Sequence, residues 1–311
     1  MNRIVVVFTI NNKFVTPTYI TIQSLLEYAK EDTIYECLIL TNDIYAFNSD
    51  ILKKLAENTR HTIKIIDVDD SMFYAPKVSY TWPKVVYWRL HLCDILKNYD
   101  KVIFSDVDIL FQGDLAEVWN SDIENYEIAA VAAERNNEKM LMHQYYYENK
   151  HEFMYWAGFM VMNLKYMREC QWVEQCNRNI IEYKSRLKMC DLEIINITAE
   201  NIKTLPLRYV FLQSLYDAVS LEDADDYKYL KSIYSEEYIN SEKEQVIIIH
   251  YAGKQGKPWL RKNVPDYYRR YLDGLPLTLK IQNNYQRFCL SIRNVLRRLY
   301  RILKKINGVN T

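Results

Sequence analysis

Two carboxylates, Asp106 and Asp108, stand one residue apart in the otherwise apolar run FSDVDILF, residues 104–111. An unpartnered carboxylate is costly to remove from water, so the pair points to a positive group that uses it. In an extended segment, side chains two residues apart share a face. Their oxygens can then converge on one cation, and oxygen donors favour a hard divalent ion such as Mg²⁺ or Mn²⁺. An N-cap or a solvated loop is the alternative. A second segment, QVIIIHYAGKQGKPW (245–259), ends an apolar run with His250. A neutral imidazole there can complete an O/N coordination set, although strand-end histidines also serve purely structural roles. Gly253 and Gly256 free the backbone to bend around an anion, and Lys257 adds a positive point charge.

Two further segments bear on the same chemistry. Arg89, in YWRLHL (87–92), lies on an expected helix just before the aspartate strand; it either reaches the same crevice or snorkels on a surface. Asn11 and Phe14, in FTINNKF (8–14), offer an amide and a flat ring suited to holding and stacking a base. A turn with a core phenylalanine is the simpler reading of those two. Taken together, the segments describe a nucleoside-diphosphate site: a base near the first strand, a diphosphate on a divalent ion, and a Gly-Lys loop closing over it.

These residues need a frame that brings them together. β-Branched runs recur at 3–10, 36–41, 62–68, 101–107, 127–133, 159–164 and 245–250. The early ones alternate with helical periodicity, as in YITIQSLLEYAK and FNSDILKKLAENT. That alternation predicts an α/β domain with a largely parallel, buried sheet. Ligands in such sheets bind beyond the carboxyl ends of the strands, which is where SDVD leaves the strand KVIF.

With 49% hydrophobic and 26% charged residues, the 311-residue chain has an ordinary globular composition and enough length for a sizeable core. Six cysteines without a CxxC pair read as reduced, mostly buried thiols. MNRIVVVFTINN reads as a first strand rather than a signal peptide, and no run approaches about 18 apolar residues, the length of a membrane span. A cytoplasmic protein is expected. Its net charge is zero, yet the chain after Asp273 has eight basic residues and no acid, so the body carries −8 and the tail +8. Apolar residues at three- and four-residue intervals over 283–306 make that tail a basic amphipathic helix. The acidic body and the lack of a recognised module argue against nucleic acid as a partner.

The chain resembles the retaining glycosyltransferases of family 8, which include bacterial lipopolysaccharide galactosyl- and glucosyltransferases and glycogenin. FTINNKF, YWRLHLCDILKNYDKVIFSDVDILFQGDL (87–115), AGFMVMNLKYMR (157–168) and HYAGKQGKPW (250–259) carry the resemblance over roughly residues 3–275. It implies a GT-A domain with a Rossmann-like, mixed central sheet over 1–275, followed by the basic tail 276–311. It also implies a UDP-sugar donor, UDP-glucose or UDP-galactose, and Mn²⁺ or Mg²⁺ held by Asp106, Asp108 and His250. By matching positions, Val107, Gly253, Lys257 and Arg89 would contact the donor, Asn11 and Phe14 the uracil, and Asp191 the transferred sugar. Glu134 is proposed as a further sugar contact. The implied activity is hexosyl transfer to a glycan, lipid-linked or protein-linked acceptor in bacterial surface polysaccharide or glycoconjugate synthesis.

Several positions depart from the family pattern. Asn11 stands where aspartate is usual, Trp156 where asparagine is usual, and Leu192 where a glutamine considered as a nucleophile is usual; the HYAGKQGKPW loop is one residue longer. Leucine cannot attack an anomeric carbon, so front-face displacement without an enzyme nucleophile is expected. A UDP-sugar-binding protein with lost catalysis is an alternative, as is a DxD phosphatase, although phosphatases of that kind carry the motif near the first strand. The tail is expected on anionic lipid at the inner face of the membrane, as in similar bacterial enzymes; packing on the domain or on a second subunit is the alternative. HQYYYENKHEFMYW (143–156) has the composition of a sugar-binding surface or of a packed hairpin.

Overall fold

In a computed structural model, which describes residues 2–73, 84–137 and 151–306, the chain divides into two units, residues 1–254 and 255–311. The first is built on a seven-stranded sheet of order β3-β2-β1-β4-β7-β6-β8. Its strands are β1 Asn2–Thr9, β2 Thr33–Thr41, β3 Thr62–Asp67, β4 Lys101–Ser105, β6 Ile128–Arg135, β7 Phe153–Asn163 and β8 Ile202–Leu205. β1 pairs in parallel with β2 and β4, and β2 with β3; β7 runs antiparallel between β4 and β6. The sheet is therefore mixed. The valines and isoleucines of β1 and the alanines of β6 are buried along nearly the whole of each strand, which produces continuous apolar runs instead of alternation.

A second, small sheet lies where the first ends. β5 (Ile109–Phe111), β9 (Phe211–Leu212) and β10 (Ile248–His250) form it in the order β5-β10-β9, with His250 paired to Ile109. The backbone leaves β4 at Ser105, crosses through Asp106-Val107-Asp108 and enters β5. The run 245–250 thus supplies a strand of the small sheet, shorter than the sequence run, and the aspartates lie between strands instead of on one.

The helix Val15–Glu27 holds this crossing in place. Thr21 Oγ1 lies 2.9 Å from the Val107 carbonyl and 2.8 Å from that of Ile109, and donates to them. Ser24 Oγ accepts from Phe111 N at 3.1 Å. Both hydroxyls are buried, so they satisfy backbone groups that no strand neighbour reaches. YWRLHL forms part of a 3-10 helix, Lys84–His91, followed by the short helix Leu92–Ile95. The charged region 220–245 forms the short turns and helices Leu221–Asp223, Tyr227–Leu230 and Glu236–Lys243. β7 begins at Phe153, six residues before the expected strand start; residues 143–150 of the aromatic segment lie outside the described residues.

The second unit contains a 3-10 turn at Pro258–Leu260 and helices Asp266–Gly274 and Leu277–Ile306. The last helix packs on the Pro258–Leu260 turn, with Leu279 and Asn283 buried. Tyr285, Phe288, Ile292, Val295, Leu296, Leu299 and Leu303 are exposed along it. Among the described residues, no helix is long and apolar enough to cross a membrane. Cys37, Cys93, Cys176 and Cys190 are buried free thiols, Cys170 is half-buried and Cys289 exposed.

Candidate active site

Asp106 is fixed at the carboxyl end of β4 by its own N–H, which donates to Gly158 O on β7 at 2.7 Å. Asp108 is fixed from the small sheet, its carbonyl accepting from Tyr251 N at 2.9 Å. These two backbone bonds bring the carboxylates to the end of β10, where His250 Nε2 lies 3.9 Å from Asp106 Oδ2 and 3.4 Å from Asp108 Oδ1. One ligand atom of each residue falls within 4.8 Å of the others, the single such group of His, Cys, Asp and Glu among the described residues. Two carboxylate oxygens and an imidazole nitrogen, part-buried together, suit a divalent ion of the Mn²⁺ or Mg²⁺ kind.

Gly158 makes the convergence possible. A Cβ at this position would meet His250 Cε1 at 2.6 Å, Asp106 Oδ2 at 3.0 Å and His250 Nε2 at 3.1 Å. The glycine is required by close approach, not by backbone conformation. Trp156, two residues earlier on the same strand, presents its ring edge-on to the His250 ring, centroids 6.4 Å apart at 85°.

Arg89 ties the cluster to a third carboxylate. Its side chain is 8% exposed, and its Nη2 donates to Asp106 Oδ1 at 2.8 Å and Nη1 to Ala157 O at 2.8 Å. Nε lies 3.1 Å from Asp191 Oδ2, and the guanidinium rests 4.3 Å over the Phe104 ring. Burial works against the charge of Arg89, yet Asp106 and Asp191 together raise its pKa. Burial pushes Asp191 up to about 6, with Arg89 opposing the shift and Asp106 adding to it.

Asp191 opens the helix Asp191–Thr198 after Cys190, whose φ of +52° is costly for a side-chain-bearing residue. The strain is held from two sides. Glu193, fully buried, accepts from Lys188 N at 2.7 Å and Met189 N at 2.8 Å. Asn196 staples this helix to β7 beyond the reach of β4, accepting from Tyr155 N at 2.8 Å and donating to Tyr155 O at 3.0 Å and Leu192 O at 2.8 Å. Leu192 itself is buried.

Val107 is buried, its carbonyl bonded to Thr21. Asn11 caps a short turn at the end of β1, its Oδ1 accepting from Lys13 N at 3.0 Å, and Phe14 closes that turn half-buried. Glu134 is buried on β6 opposite Met154. Gly253 has φ +105°, with Asp226 Oδ2 3.3 Å from where a Cβ would stand. Lys257 belongs to the second unit. The geometry thus joins Asp106, Asp108, His250, Arg89 and Asp191 through direct contacts. Gly158, Thr21, Glu193 and Asn196 were not legible as site residues, because each acts through packing or backbone bonds that only the tertiary fold reveals.

Comparison with known proteins gives a family from sequence and, from solved structures, a shared fold. The profile described as Glycosyl transferase family 8 matches residues 5–263. A putative glycosyltransferase of Haemophilus influenzae is 27% identical over 72% of this chain and 64% of its own length. Glycosyltransferase GlyF of Streptococcus pneumoniae is 24% identical over 82% of the chain and 56% of its own. The chain therefore spans less than two thirds of these relatives. The lipopolysaccharide 1,2-glucosyltransferase of Escherichia coli is 23% identical over 83% of the chain and 74% of its own length. Among solved structures, the galactosyltransferase LgtC in complex with donor and acceptor sugar analogues superposes with a TM-score of 0.72, at 19% identity, over 90% of this chain and all of that one. The bifunctional WbbM glycosyltransferase gives a TM-score of 0.70 at 20% identity, over 92% of this chain and 51% of that one.

Proposed function

Because the chain belongs to glycosyl transferase family 8, we propose that it is a retaining hexosyltransferase. In this reading it moves glucose or galactose from a UDP-sugar to a glycan, lipid-linked or protein-linked acceptor in bacterial surface polysaccharide or glycoconjugate synthesis. The observation that carries the reading is the convergence of Asp106, Asp108 and His250 within 4.8 Å. Those three would hold Mn²⁺ or Mg²⁺, which as a Lewis acid supplies charge stabilisation to the diphosphate as UDP departs. Val107, Gly253 and Lys257 serve the donor, with the last two at its phosphates, while Asn11 and Phe14 hold the uracil. Arg89 keeps Asp106 and Asp191 in register with each other, so its service to the donor is chiefly positional. Asp191 and Glu134 face the transferred sugar. The E. coli glucosyltransferase and the LgtC galactosyltransferase support a hexose donor.

Leu192 provides no nucleophile, so the acceptor hydroxyl approaches the face that UDP leaves; trapping a glycosyl adduct on Asp191 would overturn this step. Incubation with Mn²⁺ and a panel of UDP-sugars tests the whole reading. UDP release from UDP-glucose or UDP-galactose, stimulated by an acceptor, supports it, and tight binding without turnover supports the degenerate alternative. The tail is proposed to rest on anionic membrane, since its apolar residues are exposed between its basic ones. Anionic vesicles should float the full chain and not a chain ending at Gln286, a cut that spares the buried Leu279 and Asn283. Equal flotation of both chains removes the membrane proposal.

A further inference from the structure

His250 turns its Nε2 towards Asp106 and Asp108, 3.9 Å from Oδ2 of the first and 3.4 Å from Oδ1 of the second. Its backbone is fixed in the small sheet, paired with Ile109 on β5 and Leu212 on β9. Backbone pairing does not set the ring. A half-turn about Cβ–Cγ would exchange Nε2 with Cε1 and take the nitrogen away from both carboxylates. Metal-binding histidines commonly prevent this by donating from the other ring nitrogen to a carboxylate or a carbonyl. Here the side chain is buried, and its Nδ1 has no hydrogen-bond partner among the described residues. Packing must orient the ring instead.

Trp156 is placed to do so. Its indole stands perpendicular to the imidazole, at 85° with centroids 6.4 Å apart, an arrangement that aromatic pairs prefer to face-to-face stacking. An irregularity in β7 aims it there. Ala130 of β6 pairs with Met160 and Ala132 with Tyr155, which leaves 156–159 of β7 opposite Val131 alone. Bulges of this kind re-aim side chains beside active sites.

The bulge is pinned on both sides of the tryptophan. Tyr155 N donates to Asn196 Oδ1 at 2.8 Å, and Tyr155 O accepts from Asn196 Nδ2 at 3.0 Å. The carbonyl of Ala157 accepts from Arg89 at 2.8 Å, and that of Gly158 from Asp106 N at 2.7 Å. Trp156 is itself buried, so its ring has little freedom to turn. Gly158 in turn leaves the room that the imidazole needs, since a Cβ there would meet His250 Cε1 at 2.6 Å.

We propose that Trp156 is the positioning residue of His250. Its perpendicular indole, fixed by the bulge in β7, holds the imidazole with Nε2 towards the two aspartates. For its consequence in metal binding the proposal rests on the Asp106–Asp108–His250 site proposed above; for the orientation of the ring it stands alone.

The test uses the full-length protein carrying isotope-labelled histidine, as wild type, Trp156→Phe and Trp156→Leu. Without metal, His250 should give one narrow set of ring resonances in wild type and Trp156→Phe. In Trp156→Leu, which keeps apolar bulk but no ring, they should broaden or double. With UDP present, Mn²⁺ affinity should fall about tenfold in Trp156→Leu and stay within about twofold of wild type in Trp156→Phe. Trp172→Leu, which removes another buried indole, should lower stability and change neither readout. Wild-type His250 resonances or wild-type affinity in Trp156→Leu, or an equal effect of Trp172→Leu, would overturn the proposal. A tenfold loss in Trp156→Phe, or a far-downfield, slowly exchanging Nδ1 proton in wild type, would overturn it even if the leucine variant does not fold. No Mn²⁺ binding by wild type would sink the metal site alone, while the metal-free resonances still decide the role of Trp156.

Discussion

Gly158→Ala places one methyl group against the cluster proposed to hold the metal. The added carbon would stand 2.6 Å from His250 Cε1, whereas ordinary contact begins near 3.4 Å, so the imidazole must retreat by roughly 0.8 Å or the strand must bend. Asp106 Oδ2, at 3.0 Å, must also give way. Metal ligands tolerate displacements of only about 0.2 Å, and disturbing groups that orient ligands costs on the order of 10–100-fold in metal affinity. Isothermal titration of Mn²⁺ into both proteins, with UDP present, reads this directly. Gly113→Ala is the control: its Cβ would meet the Cδ1 end of Ile247 at 2.5 Å, a comparable clash against a side chain outside the metal cluster. Mn²⁺ binding by folded Gly158→Ala as tight as that of wild type, or an equal loss of affinity in Gly113→Ala, would rule out a steric effect of the added methyl on the cluster.

Two other perturbations probe the surroundings of the site. Thr21→Val keeps the shape of the side chain and removes the hydroxyl bonded to Val107 O and Ile109 O; unfolding in urea should show a loss of about 1–3 kcal/mol, with weaker Mn²⁺ binding. His91 is buried neutral with its pKa pushed down to about 4 from 6.5, so the unfolded chain binds the proton first. Its contribution is complete above about pH 6.5 and is lost as the pH falls towards 4, up to about 3 kcal/mol at 1.36 kcal/mol per pKa unit. Urea midpoints of His91→Gln should therefore fall less steeply between those pH values than those of wild type.

Much of the fold was legible because its strands are buried on both faces and announce themselves as apolar runs. Each of the seven runs read from the sequence contains or overlaps an observed strand. What escaped was short or lacked a period: β5, β8 and β9 have two to four residues, too few for periodicity to register. A mixed sheet was implied by the family resemblance, but not that β7 is the strand that runs antiparallel to its neighbours, since pairing direction leaves no mark on composition. Asp106, Asp108 and His250 were legible as ligand types at strand ends, and the structure brings them together. Arg89 was legible as a nearby cation, but not as the bridge between Asp106 and Asp191. Gly158 and Asn196 were silent because a missing Cβ and an amide bonded to a strand edge acquire meaning only when the neighbouring elements are in place.

Asp106, Asp108 and His250 are proposed to hold a divalent ion for a nucleoside diphosphate. Mn²⁺ binding, measured by electron paramagnetic resonance with and without UDP, tests it most directly in wild type, Asp108→Asn and His250→Ala. Wild type should show a single Mn²⁺ site that tightens when UDP is added, and both variants should lose that site while their melting profiles in the absence of metal stay close to wild type. Undiminished, UDP-sensitive Mn²⁺ binding in Asp108→Asn and His250→Ala would contradict it.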